Sequence, residues 1–141
     1  MTDSTKKAQI TRQWHLFDAT NQILGRLSTK VAPLLVGKNK AYFTHHLDCG
    51  DHVVIVNAEY IKVSGRKEQQ KTYQRYSGYP GGQKTQTLSD VRSKFPTRLL
   101  EHAISGMLPD NKLKKLWMSR LHLFVGETHD YGDKFKPAKT K

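Results

Sequence analysis

The stretch Val53-Val54-Ile55-Val56 constrains this chain more than any other. Four β-branched residues in an unbroken row, closed by Asp51-His52 before and Asn57-Ala58 after, suit a strand buried on both faces. A buried helix would need a longer run, and each of these side chains loses rotamer freedom in a helix. Such a strand belongs at the centre of a parallel sheet covered by helices. Lys- and Arg-rich segments leave on either side of it. The pattern is that of an apolar α/β core inside a cationic shell.

The shell is strongly charged. Lys and Arg number 24 against 12 acids, a formal net charge of +12 in 141 residues. That excess in one small domain is the electrostatic footprint of a polyanion, with nucleic acid first. An anionic membrane surface is second, but no segment approaches the roughly 20 apolar residues of a span, and no strongly amphipathic terminal helix is present. Hydrophobic residues make up 36%, enough for a core. Cys49 is the only cysteine, which excludes a disulfide within the chain and fits a reducing, cytoplasmic compartment. The polar start contains no apolar h-region and is not read as a signal peptide.

Along the chain, residues 1–12 are polar and read as a flexible arm. Residues 14–18 predict a first strand, and Thr20-Asn21 a turn and helix N-cap. Leu24, Leu27, Val31, Leu34 and Leu35 then share one helical face, with Arg26 and Lys30 opposite. Pro33 inside that pattern is expected to kink or split the helix, and Gly37 to cap its end. Lys38 and Lys40 follow. After the central strand, residues 60–63 predict a short edge strand and 65–71 a polar, cationic loop. Runs at 72–75 and 85–88 flank Tyr76-Ser77-Gly78-Tyr79-Pro80-Gly81-Gly82-Gln83-Lys84, a glycine-rich excursion between hairpin strands. Ser89 is placed to cap a short helix over 90–94. Pro96 opens the clearest amphipathic helix, with Leu99, Leu100, Ala103, Ile104, Met107 and Leu108 inward and Arg98, Glu101, His102 and Ser105 on the opposite, solvent face, and Leu108-Pro109 stops it. Asp110 or Asn111 can cap a further helix. Lys112, Lys114 and Lys115 at its start oppose the helix dipole and imply an anion shared with its N–H groups. Residues 121–126 predict a last strand. From Glu127 the chain is a polar, basic tail.

Strands alternating with helices predict a three-layer α/β/α fold with a small, mainly parallel sheet of about four strands. The expected organisation is an arm (1–12), one α/β RNA-binding domain (13–126) with a protruding basic excursion (65–88), and a tail (127–141).

Catalytic chemistry finds little support. His45, His46, Cys49 and His52 are zinc-ligand types, but their spacing matches no standard finger and no second pair completes it. Asp48 and Asp51 at a strand entrance suit a turn or cap better than an acid/base pair. No P-loop and no G-x-G-x-x-G motif occurs. The sequence therefore calls for no catalytic residue, no metal and no cofactor. RNA suits the remaining pattern, because exposed rings stack on bases while Lys and Arg meet phosphates.

Ala103-Ile104-Ser105-Gly106-Met107-Leu108-Pro109, followed by a basic segment and a Leu-rich strand, resembles the signature of the large-subunit ribosomal protein thirteen family. Collinear agreement extends to Trp14-His15-Leu16-Phe17-Asp18-Ala19, Leu24-Gly25-Arg26-Leu27-Ser28, Gly37-Lys38-Asn39-Lys40, Asp48-Cys49-Gly50-Asp51 with its strand, and Tyr76-Ser77-Gly78-Tyr79-Pro80-Gly81-Gly82. The Gly-Met-Leu-Pro form and compact length resemble the bacterial type. Ser105 and Tyr76 stand where the family pattern usually has a basic residue and a His, and the His-rich tail motif is reduced to Thr128-His129-Asp130-Tyr131. The resemblance implies a non-catalytic protein of the large ribosomal subunit that binds its RNA, supports assembly and touches neighbouring ribosomal proteins.

Three cationic patches are expected to carry the RNA. The first is Arg26, Lys30, Lys38 and Lys40. The second, on the excursion, is Arg66, Lys67, Lys71, Arg75 and Lys84 with Tyr76 and Tyr79. The third is Lys112, Lys114 and Lys115. A regulator that binds messenger RNA off the ribosome would carry the same surface. A metal-dependent nucleic-acid enzyme would need the His45/His46/Cys49/His52 cluster.

Overall fold

The computed structural model of the chain describes residues 6–135. The β-branched run lies in the central strand (β2, His52–Val56), and all four of its residues are buried. This strand runs parallel to its neighbours on both sides, Trp14–Asp18 (β1) and Leu121–Leu123 (β5). Phe17 pairs with Ile55, and Ile55 with Leu123, so one register crosses the sheet. A strand without a free edge or an open face keeps only apolar side chains, which is why this run does not alternate.

Val53 and Ile55 point into the main core. It is filled by Leu27, Val31 and Leu35 from helix α1 (Leu24–Val36), Leu100 and Ile104 from helix α4 (Pro96–Met107), and Trp117 from helix α5 (Lys114–Met118). The strand order β1-β2-β5 always steps in one direction. Right-handed crossovers that step in one direction lay their connections on a single face. The helices therefore form one layer, where helices on both faces were expected. The opposite face carries the rings of Trp14, His52 and His122, with Trp14 stacked on His52 at 4.2 Å. Tyr131 and Phe135 close over Trp14 at 5.0 and 6.3 Å. The third layer is thus the segment after β5, ending in a 3-10 turn at Gly132–Phe135. Lys136, Lys139 and Lys141 of the expected basic tail lie outside the described residues.

The fold is the expected mixed α/β around a small parallel sheet, with local departures. The sheet has three strands rather than about four. Asn57, in the left-handed region at φ 57°, turns the chain out of β2 into a 3-10 turn. Of the edge strand expected over 60–63, one parallel bridge between Ile23 and Lys62 remains. Helix α1 begins after Ile23, not at Thr20-Asn21, and has no side-chain cap; the Leu24 N–H donates instead to the Lys62 carbonyl at 2.9 Å. Pro33 does not split it. Only one turn follows the proline, and Gly37, at φ 86°, closes the end by donating to the Pro33 carbonyl at 2.8 Å.

The excursion is a hairpin of Thr72–Tyr76 (β3) and Gln83–Thr87 (β4), with Tyr76 opposite Gln83. The polar segment before it contains a one-turn helix, Lys67–Gln70 (α2). Helix α3 (Leu88–Lys94) is capped by Thr87 rather than Ser89, with Asp90 closing a capping box. Leu88, Val91 and Leu99, with Val63 and Tyr73, form a second small core that anchors the hairpin.

Gly50 is fixed by space. A Cβ there would overlap the Leu35 carbonyl and meet the Arg120 guanidinium at 2.7 Å. Gly50→Ala is expected to cost about 3 kcal/mol, read as a lowered urea midpoint with an unchanged m-value. A cost below about 0.5 kcal/mol would mean that the loop at Gly50 is not packed this closely on the last turn of α1.

Candidate nucleic-acid interface

The chain divides its cations between an interior node and an exposed surface. The node sits where β2 begins. Arg120, almost fully buried, forks the Asp48 carboxylate with both terminal nitrogens. Arg12 reaches the same carboxylate at 3.2 Å. Asp51, 4% exposed, accepts the Gln13 N–H at 3.0 Å, pairs with the Lys40 ammonium, and lies 3.1 Å from His15 Nε2. Lys40 also donates to the carbonyls of Thr11 (2.6 Å) and Cys49 (2.8 Å). Buried charges survive only when paired and hydrogen-bonded; both carboxylates here are paired, and of the Arg120 guanidinium only Nε is left without a partner. Thr11 and Arg12 of the expected arm, with Gln13 at the start of the domain, are held by this node.

Burial pushes the Asp48 carboxyl up, but the Arg120 hydrogen bond and charge, with Arg12, outweigh it and hold the group below the ordinary aspartate range. Asp51 follows the same pattern. Burial raises it, and the Gln13 N–H, Lys40 and His15 together bring it lower. Burial keeps His52 and His122, in the ring stack, below the usual imidazole range, so both favour the neutral form.

The first expected patch therefore comes apart. Lys40 turns inward, with its side chain 12% exposed. Arg26 and Lys38 are exposed but at opposite ends of α1, with roughly 15 Å of helix between Arg26 and its last residue at 1.5 Å per residue. Lys30 is exposed between them. Arg26 instead meets Lys67 and Lys71, from the second patch, around a groove of about 410 Å³ floored by Leu24, Val63, Leu88, Ala103 and Met107.

The hairpin places Arg75 directly opposite Lys84, both exposed. Like charges in register repel, and a polyanion relieves that repulsion. Tyr76 and Tyr79 are 66% and 75% exposed, so neither packs on the domain. Gly78 and Gly81, at φ 89° and 71°, let the tip turn between them. Arg66 is exposed at the hairpin's base.

In the third patch, Lys112 and Lys115 are exposed. Lys114 pairs with Asp110 at 2.6 Å. Asn111 Oδ1 accepts the N–H groups of Leu113 and Lys114 at 3.0 and 3.1 Å. Helix α5 is one turn long, and Asn111 and Asp110 already engage two N–H groups and one of the lysines at its start, which weakens the case for an anion there.

Arg98 and His102 were read as the solvent face of α4, but they share a second groove with Arg75 and Lys84. Only the fold brings these elements together. The four zinc-ligand types near the central strand do not come together. Cys49 is fully buried, His45 and His46 are exposed, and His52 lies in the ring stack. Among the described residues no group of three or more His, Cys, Asp or Glu side chains could hold a metal ion. Nor, among them, is any helix long and apolar enough to cross a membrane.

The family model for ribosomal protein L13 matches residues 12–130. This chain belongs to the ribosomal protein L13 family. The large ribosomal subunit protein uL13 of Synechococcus sp. (strain WH7803) is 53% identical over 122 residues, covering 86% of this chain and 81% of that protein. Its counterpart in Trichormus variabilis (strain ATCC 29413 / PCC 7937) is 48% identical over 126 residues, covering 89% and 83%. That of Solibacter usitatus (strain Ellin6076) is 46% identical over 130 residues, covering 92% and 91%. The stretches that carried the ribosomal protein L13 resemblance serve different ends here. Residues 37–40 and 48–51 build the ion-pair node, 103–109 end α4, and 76–82 form the exposed tip.

Two outcomes follow from the node. Lys40→Met should cost about 3–5 kcal/mol, because it strands a buried carboxylate, while Lys38→Met stays within about 0.5 kcal/mol. Equal costs in thermal unfolding would refute the inward placement. Both carboxyls titrate below the ordinary value of about 3.9, so their contribution is complete above it and is lost as pH falls through the folded values. Stability should therefore drop steeply below about pH 4, and carbon-detected NMR should show both side chains still ionised at that pH.

Proposed function

We propose that this chain is a structural constituent of the large ribosomal subunit, in the cytoplasm, that binds large-subunit ribosomal RNA and supports assembly beside neighbouring ribosomal proteins. The relatives above are each named large ribosomal subunit protein, and the family is one of ribosomal proteins, not enzymes. One observation carries the RNA reading. Between residues 65 and 87 the chain has five cations against a single carboxylate, Glu68, and Glu68 is paired with Arg92 outside that stretch. Buried cations are neutralised and these are not. Unbalanced charge held out on a hairpin stabilises no fold, so it fits a partner that supplies phosphates.

Two contact faces follow. One is Arg26, Lys67 and Lys71 around their groove, with Lys30 and Arg66 nearby in sequence. The other is the hairpin, with Arg75 and Lys84 for phosphates and Tyr76 and Tyr79 for stacking. Lys38, Lys112 and Lys115 add exposed charge elsewhere. Lys40 and Lys114 are left out, because carboxylates already hold them.

The test is RNA binding by the intact chain across a salt series. Each phosphate contact contributes about 0.7–0.9 to the slope of log affinity against log salt. Arg26→Ala, Lys67→Ala and Lys71→Ala together should lower the slope by about two and deplete the protein from the large-subunit peak of a sucrose gradient. Lys112→Ala with Lys115→Ala should lower it by about one to two. A folded triple variant with the parental slope would remove the groove from the interface. Parental protein that sediments apart from the large subunit would remove the ribosomal assignment.

A further inference from the structure

The hairpin pairs Tyr73 with Gln86 and Arg75 with Lys84. Cross-strand partners share a face, so these four side chains lie on one side of the hairpin. That side looks onto helix α4. The Tyr73 ring packs on the small core beneath it and lies 5.5 Å from the His102 ring, tilted by 32°. Between hairpin and helix runs a groove of about 460 Å³, bounded by Tyr73, Arg75, Lys84, Gln86, Arg98 and His102. No carboxylate lines it.

The groove holds three kinds of group at once. Tyr73 and His102 offer ring faces. Gln86 carries a donor and an acceptor on one amide, which can match the edge of a base. Arg75, Lys84 and Arg98 set cations around the rim for phosphate. The volume falls within the roughly 300–1,000 Å³ of small-ligand sites, room for one nucleotide but not for a duplex. Stacked bases in a helix could not reach the rings; an unpaired base could. An acidic peptide would satisfy the rim cations and leave the rings and the amide unmatched.

We propose that this groove is a subsite for a single unstacked nucleotide, which an unpaired stretch of RNA inserts between the hairpin and α4. This rests on the RNA-binding reading above and adds a preference for unpaired RNA that phosphate contacts alone do not give.

The experiment uses the full isotope-labelled chain, followed by NMR during titration with each nucleoside 5′-monophosphate, with inorganic phosphate and with polyglutamate. Nucleotides should shift the Gln86 amide and the rings of Tyr73 and His102 saturably, and phosphate alone should not. Gln86 and His102 are both exposed, so Gln86→Ala/His102→Ala should keep the core spectrum. That variant should lose affinity for a short single-stranded RNA on the order of tenfold, with binding to the matching duplex unchanged. If nucleotides leave those signals still, or the variant weakens both RNAs equally or neither, the subsite is wrong. Stronger shifts with polyglutamate would overturn it in favour of a peptide site. A parental chain that binds no RNA in either form would overturn the proposed function as well.

Discussion

Asp48 and Asp51 sit three residues apart on the loop that enters the central strand, and each is held by a cation from a distant part of the chain. Arg120 arrives from just before the last strand and Lys40 from beyond the first helix. Gln13 and Arg12 come from the residues before the first strand. The two carboxylates thereby fix the starts of all three strands at one end of the sheet. Apolar burial alone sets no such register, because a parallel strand slipped by two residues buries a similar set of side chains. Buried ion pairs contribute little net stability but penalise every arrangement that parts them. Gly37 and Gly50 belong to the same device, since a side chain at either would collide with backbone across the gap.

The remaining cations follow a different logic. A chain carrying +12 repels itself. The fold places several of these charges on a hairpin that contributes only Tyr73 to packing, away from the node and the main core. The architecture thus separates the charges that hold it together from those that face outward. Leu88, Val91 and Leu99 give the hairpin a footing of its own, so its charged face can meet a partner without disturbing the parallel sheet.

Much of this was legible in the sequence where the physics is local. Four β-branched residues in a row marked the central strand, and the spacing of Leu99, Leu100 and Ile104, with Pro109 beyond, marked the long helix. The glycines between Tyr76 and Lys84 marked the excursion. What could not be read depends on distant pairing. Lys38 and Lys40 differ by two positions and look alike, yet one faces water and the other a carboxylate. Arg120 lies 72 residues from Asp48, and no local pattern links them. The layering was misjudged because alternating strands and helices do not reveal which way each crossover steps. Arg98 and His102 were assigned to solvent correctly as a helical face, but what stands opposite that face is a matter of topology.

The one-directional strand order also bears on when the molecule can be complete. The rear of the sheet is closed by Tyr131 and Phe135, and their rings rest on Trp14, from the first strand. A chain emerging during synthesis makes Trp14 early and its cover last, and the central strand cannot gain its second neighbour until residues 121–123 appear. The first hundred residues therefore have no closed rear face and no Arg120 to neutralise Asp48. Helix α1 and the hairpin can take shape locally in that interval and the first strand can meet the central one, but the sheet is complete only when the last strand arrives. The growing chain offers its cationic hairpin to solution before its own core is sealed.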